Sequence, residues 1–213
     1  MNNGSYLNKT GILGGTFNPI HVGHLVLAQN ALEYCDLDKV LFIPTGCSYL
    51  KDPKEIAETG HRVNMTGLAI KDNSRFELST VESDREGNSY TYETLGILRR
   101  DNPDTRYYYI VGADTLMYME NWKEPGKIFE SCTVVCAMRD DIGRDVLEEK
   151  ASFLKSRFEA DVIIMDIPEI EVSSSMIRKL LTDGKSCRYY LNDEVKRYIS
   201  DNGLYNAADN GRS

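Results

Sequence analysis

Apolar positions along this chain alternate between two rhythms. A short apolar run at about Thr10–Leu13 predicts a strand that feeds into GGTFNP. From about Val22 to Tyr34, the residues Leu25, Ala28, Leu32 and Cys35 recur at helical spacing and predict an amphipathic helix. KVLFIP is a six-residue apolar run stopped by Pro44, the pattern of a buried strand. The stretch Thr45–Gly60 is irregular and polar, a length at which loops are usually lids, binding loops or disordered segments. A helix at about Arg62–Lys71 and an alternating strand, RFELSTVES, follow. Ser89–Tyr90–Thr91 open a third helix that ends near Arg100, with Asn102 and Pro103 as its stop. Next come a strand at Arg106–Val111 leading into Gly112–Ala113–Asp114, a helix near Asp114–Met119 and a strand near Cys132–Ala137. A helix at Val146–Phe158 and a strand at Asp161–Met165 continue the alternation. Two helices close the chain, Ser175–Leu181 and Asp193–Ser200, the latter with Asn192 as N-cap and Asn202–Gly203 as stop.

Strands alternating with helices of this length predict an α/β fold with a parallel sheet covered on both faces. With 213 residues and no repeat or linker, one domain is expected, ending in a small helical part. Ligands of such sheets bind beyond the carboxyl ends of the strands. The segments to inspect are therefore GGTFNPIHVGH, PTGCSYLK, VGAD, AMRD and EVSSSMIR.

Composition narrows the class. Lys and Arg number 25 against 33 Asp and Glu, a net charge of −8, which argues against a nucleic-acid binder with a basic face. An anionic ligand would need a local positive site. No apolar run reaches the roughly 18 residues of a membrane span, and no secretory signal pattern opens the chain. The five cysteines form no CxxC pair; Cys132 and Cys136 read as two buried thiols on one strand face rather than as metal ligands. A reduced, soluble, cytoplasmic protein is expected.

Two segments carry candidate chemistry. Gly14 and Gly15 directly follow a strand, where backbone N–H groups can approach a phosphate closely. The pattern is neither GxGxxG nor GxxxxGK[ST]. His21 and His24 lie three apart at a helix start, where imidazoles can meet phosphate oxygens at the positive end of the helix dipole. Far along the chain, Ser173, Ser174 and Ser175 start another helix, and Arg178 lies one turn on, able to fork to phosphate.

HxGH after a glycine turn, paired with a late SSSMIR helix start, resembles the nucleotidyltransferase superfamily of adenylyl and cytidylyl transferases. Within it the chain resembles the bacterial nicotinate-nucleotide adenylyltransferases. GGTFNPIHVGHL, HRVNMTGLAI, SYTYETL, VGADT, the Trp122 segment, EVSSSMIR and VKRYISDNGLY fall in that family's order, from about residue 10 to 205. The resemblance implies a Rossmann-like doubly wound sheet, ATP and nicotinate mononucleotide as substrates, and Mg²⁺ carried on their phosphates rather than on a protein metal site. It implies in-line attack by the mononucleotide's 5′-phosphate on the α-phosphorus of ATP, without a covalent enzyme intermediate. His21 and His24 would bind the ATP phosphates, with His24 at the α-phosphate. Gly14, Gly15, Thr16 and Phe17 would shape the phosphate turn, and Ser174, Ser175 and Arg178 would hold the β- and γ-phosphates. Gly112 and Asp114 would take ribose hydroxyls. Trp122 is either a packing residue or a ring stacked on nicotinate. Tyr90 and Thr91 open a helix whose amides could receive the nicotinate carboxylate, which would favour the acid over the amide. Arg139 is a phosphate candidate or a surface ion-pair partner.

Two departures stand out. Asn18 occupies a turn position that is often Asp in the family. Ser48–Tyr49–Leu50–Lys51 replaces a common Pro-Pro-His-Lys, leaving Lys51 as a catalytic lid cation or an ordinary solvated lysine. The alternatives are an enzyme of the same superfamily preferring nicotinamide mononucleotide, and a nucleotide-binding module without catalysis.

Overall fold

The apolar runs become strands and the amphipathic stretches become the helices that cover them. In this computed structural model, residues 8–46, 56–138, 142–168 and 170–205 are described. Strand β1 (Asn8–Gly15) is followed by α1 (Val22–Tyr34), β2 (Lys39–Pro44), α2 (Thr59–Ile70), β3 (Phe76–Leu78) and α3 (Thr91–Asp101). Then come β4 (Thr105–Gly112), α4 (Ala113–Leu116), a 3₁₀ turn (Met119–Asn121), α5 (Pro125–Ser131) and β5 (Thr133–Met138). The chain closes with α6 (Arg144–Phe158), β6 (Val162–Asp166), α7 (Ser174–Thr182) and α8 (Asp193–Asp201).

The strands form one six-stranded sheet in the order β3-β2-β1-β4-β5-β6. Strand β1 runs parallel to β4, with Asn8 opposite Thr105 and Ile12 opposite Tyr109. The β4–β5 and β5–β6 pairs are parallel as well. Five consecutive buried residues in each of β2 and β5 mark strands covered on both faces, as a doubly wound Rossmann-like sheet requires. The strand order reverses at β1 and β4, the position where such sheets place their ligands.

Two compact units are distinguished within the fold. One gathers Met1–Leu13, Leu27–Leu41 and Ser89–Glu169; the other gathers Gly14–Val26, Phe42–Asn88 and Ile170–Ser213. The core of the first includes Ile12, Leu32, Val40, Ile110, Val135 and Leu147. That of the second includes Phe17, Ile20, Phe42, Met65, Ile177 and Val195.

Helix α1 begins and ends where its periodicity predicts. The RFELSTVES segment does not form a long strand: only Phe76–Leu78 pair. Beyond them the Thr80 hydroxyl donates to Asp84 Oδ2 at 2.6 Å and the Ser83 hydroxyl to Thr80 O at 3.1 Å. These local bonds draw the backbone into a turn in competition with the sheet. The predicted helix near Asp114–Met119 splits into the single turn of α4 and a 3₁₀ turn. Helix α5, with Pro125 at its first position, was absent from the pattern reading although Pro at that position is a start signal. Cys132 and Cys136 are buried thiols, and that burial pushes both up to about 12.

Candidate active site

The turn after β1 is built around Phe17. Its backbone is left-handed (φ 48°) and its ring is 2% exposed. A Cβ on Gly15 would stand 3.0 Å from that ring, so the glycine makes room for Phe17 as well as for any approaching phosphate. The Phe17 ring meets the His24 imidazole edge-on, with centroids 5.0 Å apart. Residue 23 follows the same logic: its Cβ would lie 3.1 Å from His21 Nδ1, which explains the glycine inside HxGH. His21 is the residue preceding α1, and its backbone N–H donates to His24 Nδ1 at 3.2 Å. This is the reciprocal half of a capping box, with a histidine in place of the usual Glu or Gln. The His24 Nδ1 therefore serves as an acceptor, which places a neutral ring's N–H on Nε2. The two imidazoles lie close together, centroids 3.7 Å apart and planes tilted by 34°, and His21 is buried.

The same unit brings the late helix to this turn. The Ser174 hydroxyl donates to Pro19 O at 2.9 Å, and Arg178 Nη1 donates to Asn18 O at 2.9 Å. The histidine turn and the serine–arginine helix start, more than 150 residues apart in sequence, are thus joined directly. Ser173 caps α7, its hydroxyl accepting from Met176 N, and the Ser173 and Ser175 hydroxyls are 3.1 Å apart. Asn18 is the hub. Its Oδ1 accepts from Ala57 N at 3.1 Å and from the Tyr205 hydroxyl at 2.7 Å. An amide oxygen makes both bonds, so Asn serves here without a carboxylate. Burial pushes the Tyr205 phenol up, against the lowering effect of Arg178 and Arg62, and keeps it a donor.

Arg62 holds this turn together from a buried position. Its side chain is 2% exposed, yet it carries a guanidinium. Nε donates to Ala57 O, Nη1 to Thr16 O, and Nη2 to both Gly46 O and Thr59 Oγ1, at 2.8–3.0 Å. One side chain therefore ties the phosphate turn to the residues after β2 and before α2. The sequence marks it only as an arginine on the apolar side of a helix, within the HRVNMTGLAI segment.

The nicotinate candidates gather in the other unit. Tyr90 is the N-cap of α3 and its side chain makes no capping hydrogen bond; Thr91 is the first residue of the helix. The Trp122 ring packs edge-on against Tyr109, with centroids 6.1 Å apart. The ammonium of Lys123, next to it in sequence, sits 4.0 Å from the Tyr90 ring centroid, so the Trp122 segment and the start of α3 are neighbours. Gly112 ends β4, and a Cβ there would meet nothing within 4 Å. Asp114 is exposed in the single turn of α4. Lys51 and Arg139 lie outside the described residues. Among the described residues, no group of three or more His, Cys, Asp or Glu is placed to hold a metal.

A model of the cytidylyltransferase-like family matches residues 12–180. The "probable nicotinate-nucleotide adenylyltransferase" of Lachnoclostridium phytofermentans is 41% identical over 93% of this chain and 100% of its own length. The protein of the same name from Halalkalibacterium halodurans is 36% identical over 97% of this chain and 96% of its own. Among solved structures, Plasmodium falciparum nicotinic acid mononucleotide adenylyltransferase, complexed with NaAD, superimposes with a TM-score of 0.74 at 22% identity. It covers 93% of this chain and 97% of its own, and shares the fold. The turn, the late helix and these end-to-end matches agree: the chain belongs to the nicotinate-nucleotide adenylyltransferases of the cytidylyltransferase-like family.

Proposed function

We propose that this chain transfers the adenylyl group of ATP to nicotinate mononucleotide, forming nicotinate adenine dinucleotide and pyrophosphate, a step of NAD biosynthesis. The observation that carries the residue roles is the pair of bonds from Ser174 and Arg178 to the carbonyls of Pro19 and Asn18. They bring hydroxyls and a guanidinium to the turn that bears the two imidazoles. The site needs no protein nucleophile. A 5′-phosphate oxygen of the mononucleotide forms the new bond to the α-phosphorus, and the bond to the α–β bridging oxygen breaks as pyrophosphate leaves.

Such transfers depend on positioning and on neutralising charge. His24 donates from Nε2 to the α-phosphate and its bridging oxygen, and His21 acts beside it. Arg178 spends one N–H on Asn18 O; its other donors serve the β- and γ-phosphates with Ser174 and Ser175. None of the residues that build the turn is a carboxylate. That suits Mg²⁺, which binds through substrate phosphates and water with few protein ligands. When bound there, it would neutralise phosphate charge. On the mononucleotide side, Trp122 stacks on nicotinate, and Tyr90 and Thr91 offer the α3 amides to its carboxylate. Gly112 and Asp114 take ribose hydroxyls. The Lys123 ammonium adds positive charge where an acid, and not an amide, benefits.

The thiols Cys132, Cys136 and Cys187 are free and buried, which supports a reducing, cytoplasmic setting. No described helix is long and apolar enough to cross a membrane. Product analysis with ATP·Mg²⁺ and equal nicotinate and nicotinamide mononucleotide tests the substrate assignment. The expected product is the acid dinucleotide in large excess; a preference for the amide overturns the reading of the α3 terminus.

A further inference from the structure

Most ion pairs here lie open to water: the side chains of Lys9 and Asp36 are 42% and 94% exposed, and those of Arg100 and Asp101 are 71% and 50% exposed. Glu120 and Lys150 differ. Their side chains keep only 23% and 10% of their surface, and the Lys150 ammonium is in close contact with Glu120 Oε1. The other oxygen, Oε2, is buried without a hydrogen-bond partner. An ion pair at this depth, with an unsatisfied oxygen, is a poor source of net stability and a good source of fixed geometry.

The geometry it fixes is that of the turn before Trp122. Glu120 is the middle residue of the 3₁₀ turn Met119–Asn121, while Lys150 lies on α6, thirty residues on. The turn closes through Trp122 N donating to Met119 O at 3.1 Å, and Met119 is fully buried. A tether on Glu120 thus acts two residues upstream of the indole, which meets the Tyr109 ring edge-on. We propose that the Glu120–Lys150 pair is a positioning device for Trp122, and that through the indole it sets the affinity for the pyridine mononucleotide. This rests on the reading of Trp122 as the ring that stacks on nicotinate.

Trp122 is the only tryptophan of the chain, so intrinsic fluorescence reports on it alone. Nicotinate mononucleotide is titrated into the full-length protein and into Lys150→Met and Glu120→Gln, following indole emission, with KM for ATP measured in parallel. Both variants are expected to shift the indole emission. Both should also weaken mononucleotide binding about fivefold or more, part of what one base–aromatic stack contributes, with KM for ATP held within about twofold. The double variant should bind no worse than the weaker single one, since the two act as a unit. Folded variants that bind the mononucleotide as the unmodified protein does would overturn the proposal. Should Lys150→Met fail to fold, Glu120→Gln, which keeps the shape and removes the charge, decides alone. If the mononucleotide leaves emission unchanged even in the unmodified chain, the stacking reading itself fails and the positioning role with it.

Discussion

The phosphate turn and the Trp122 segment are built by opposite means. The turn is buried, and side chains from distant elements hold its backbone carbonyls: Arg62 holds Thr16 O, Arg178 holds Asn18 O, and Ser174 holds Pro19 O. The Trp122 segment is a succession of short turns, half exposed, held by the Glu120–Lys150 pair, by ring edges and by charges over rings. Charge development at phosphorus rewards rigid donors, whereas a stacked ring loses contact gradually as it is displaced. The first region should therefore fail abruptly when altered, and the second by degrees.

The largest effect is expected at Arg62. Arg62→Met removes four hydrogen bonds from a buried cation and strands the carbonyls of Thr16, Gly46 and Ala57, each costing about 1–3 kcal/mol when left unpaired. Urea unfolding should show a loss of about 3 kcal/mol or more, far beyond a typical substitution. A loss below about 1 kcal/mol would mean that the turn is held by other contacts. His24→Ala should come next, lowering pyrophosphate release about a hundredfold, the scale of losing one donor to a developing anion. The same variant removes the acceptor for His21 N–H, so its stability should be compared with that of His24→Asn, which can retain that acceptor. Near-normal turnover in His24→Ala would remove the residue from the chemistry. Trp122→Ala should be the mildest: KM for the mononucleotide rises about tenfold, within the range of one lost stack, and kcat changes little. An unchanged KM would leave Trp122 a packing residue against Tyr109.

The same contrast explains what could be read from the amino-acid order. Periodicity located α1 and the buried strands because apolar burial repeats along the chain. The histidines and the serine–arginine start were visible as local clusters at a strand end and a helix start. Arg62 was not, because its meaning lies chiefly in carbonyls 5, 16 and 46 residues away, and a carbonyl leaves no mark on side-chain identity. Gly23 was seen only as part of a motif; the ring of His21 at 3.1 Å supplies the reason. The RFELSTVES segment misled because Thr80 and Ser83 fit strand alternation while their hydroxyls bond the local turn. Ser174 and Arg178 stand out in the sequence as a helix start and candidate phosphate ligands, whereas their bonds to the carbonyls of Pro19 and Asn18 leave no trace there.

The peptide of Ala57 is held at both ends, its N–H by Asn18 and its carbonyl by Arg62, and the same guanidinium grips Gly46. The two anchor points of the stretch from 47 to 55 are therefore pinned by groups that lie outside it. A change at Gly46, Ala57 or Arg62 therefore reaches the turn after β1 directly, through Asn18 Oδ1 or Thr16 O.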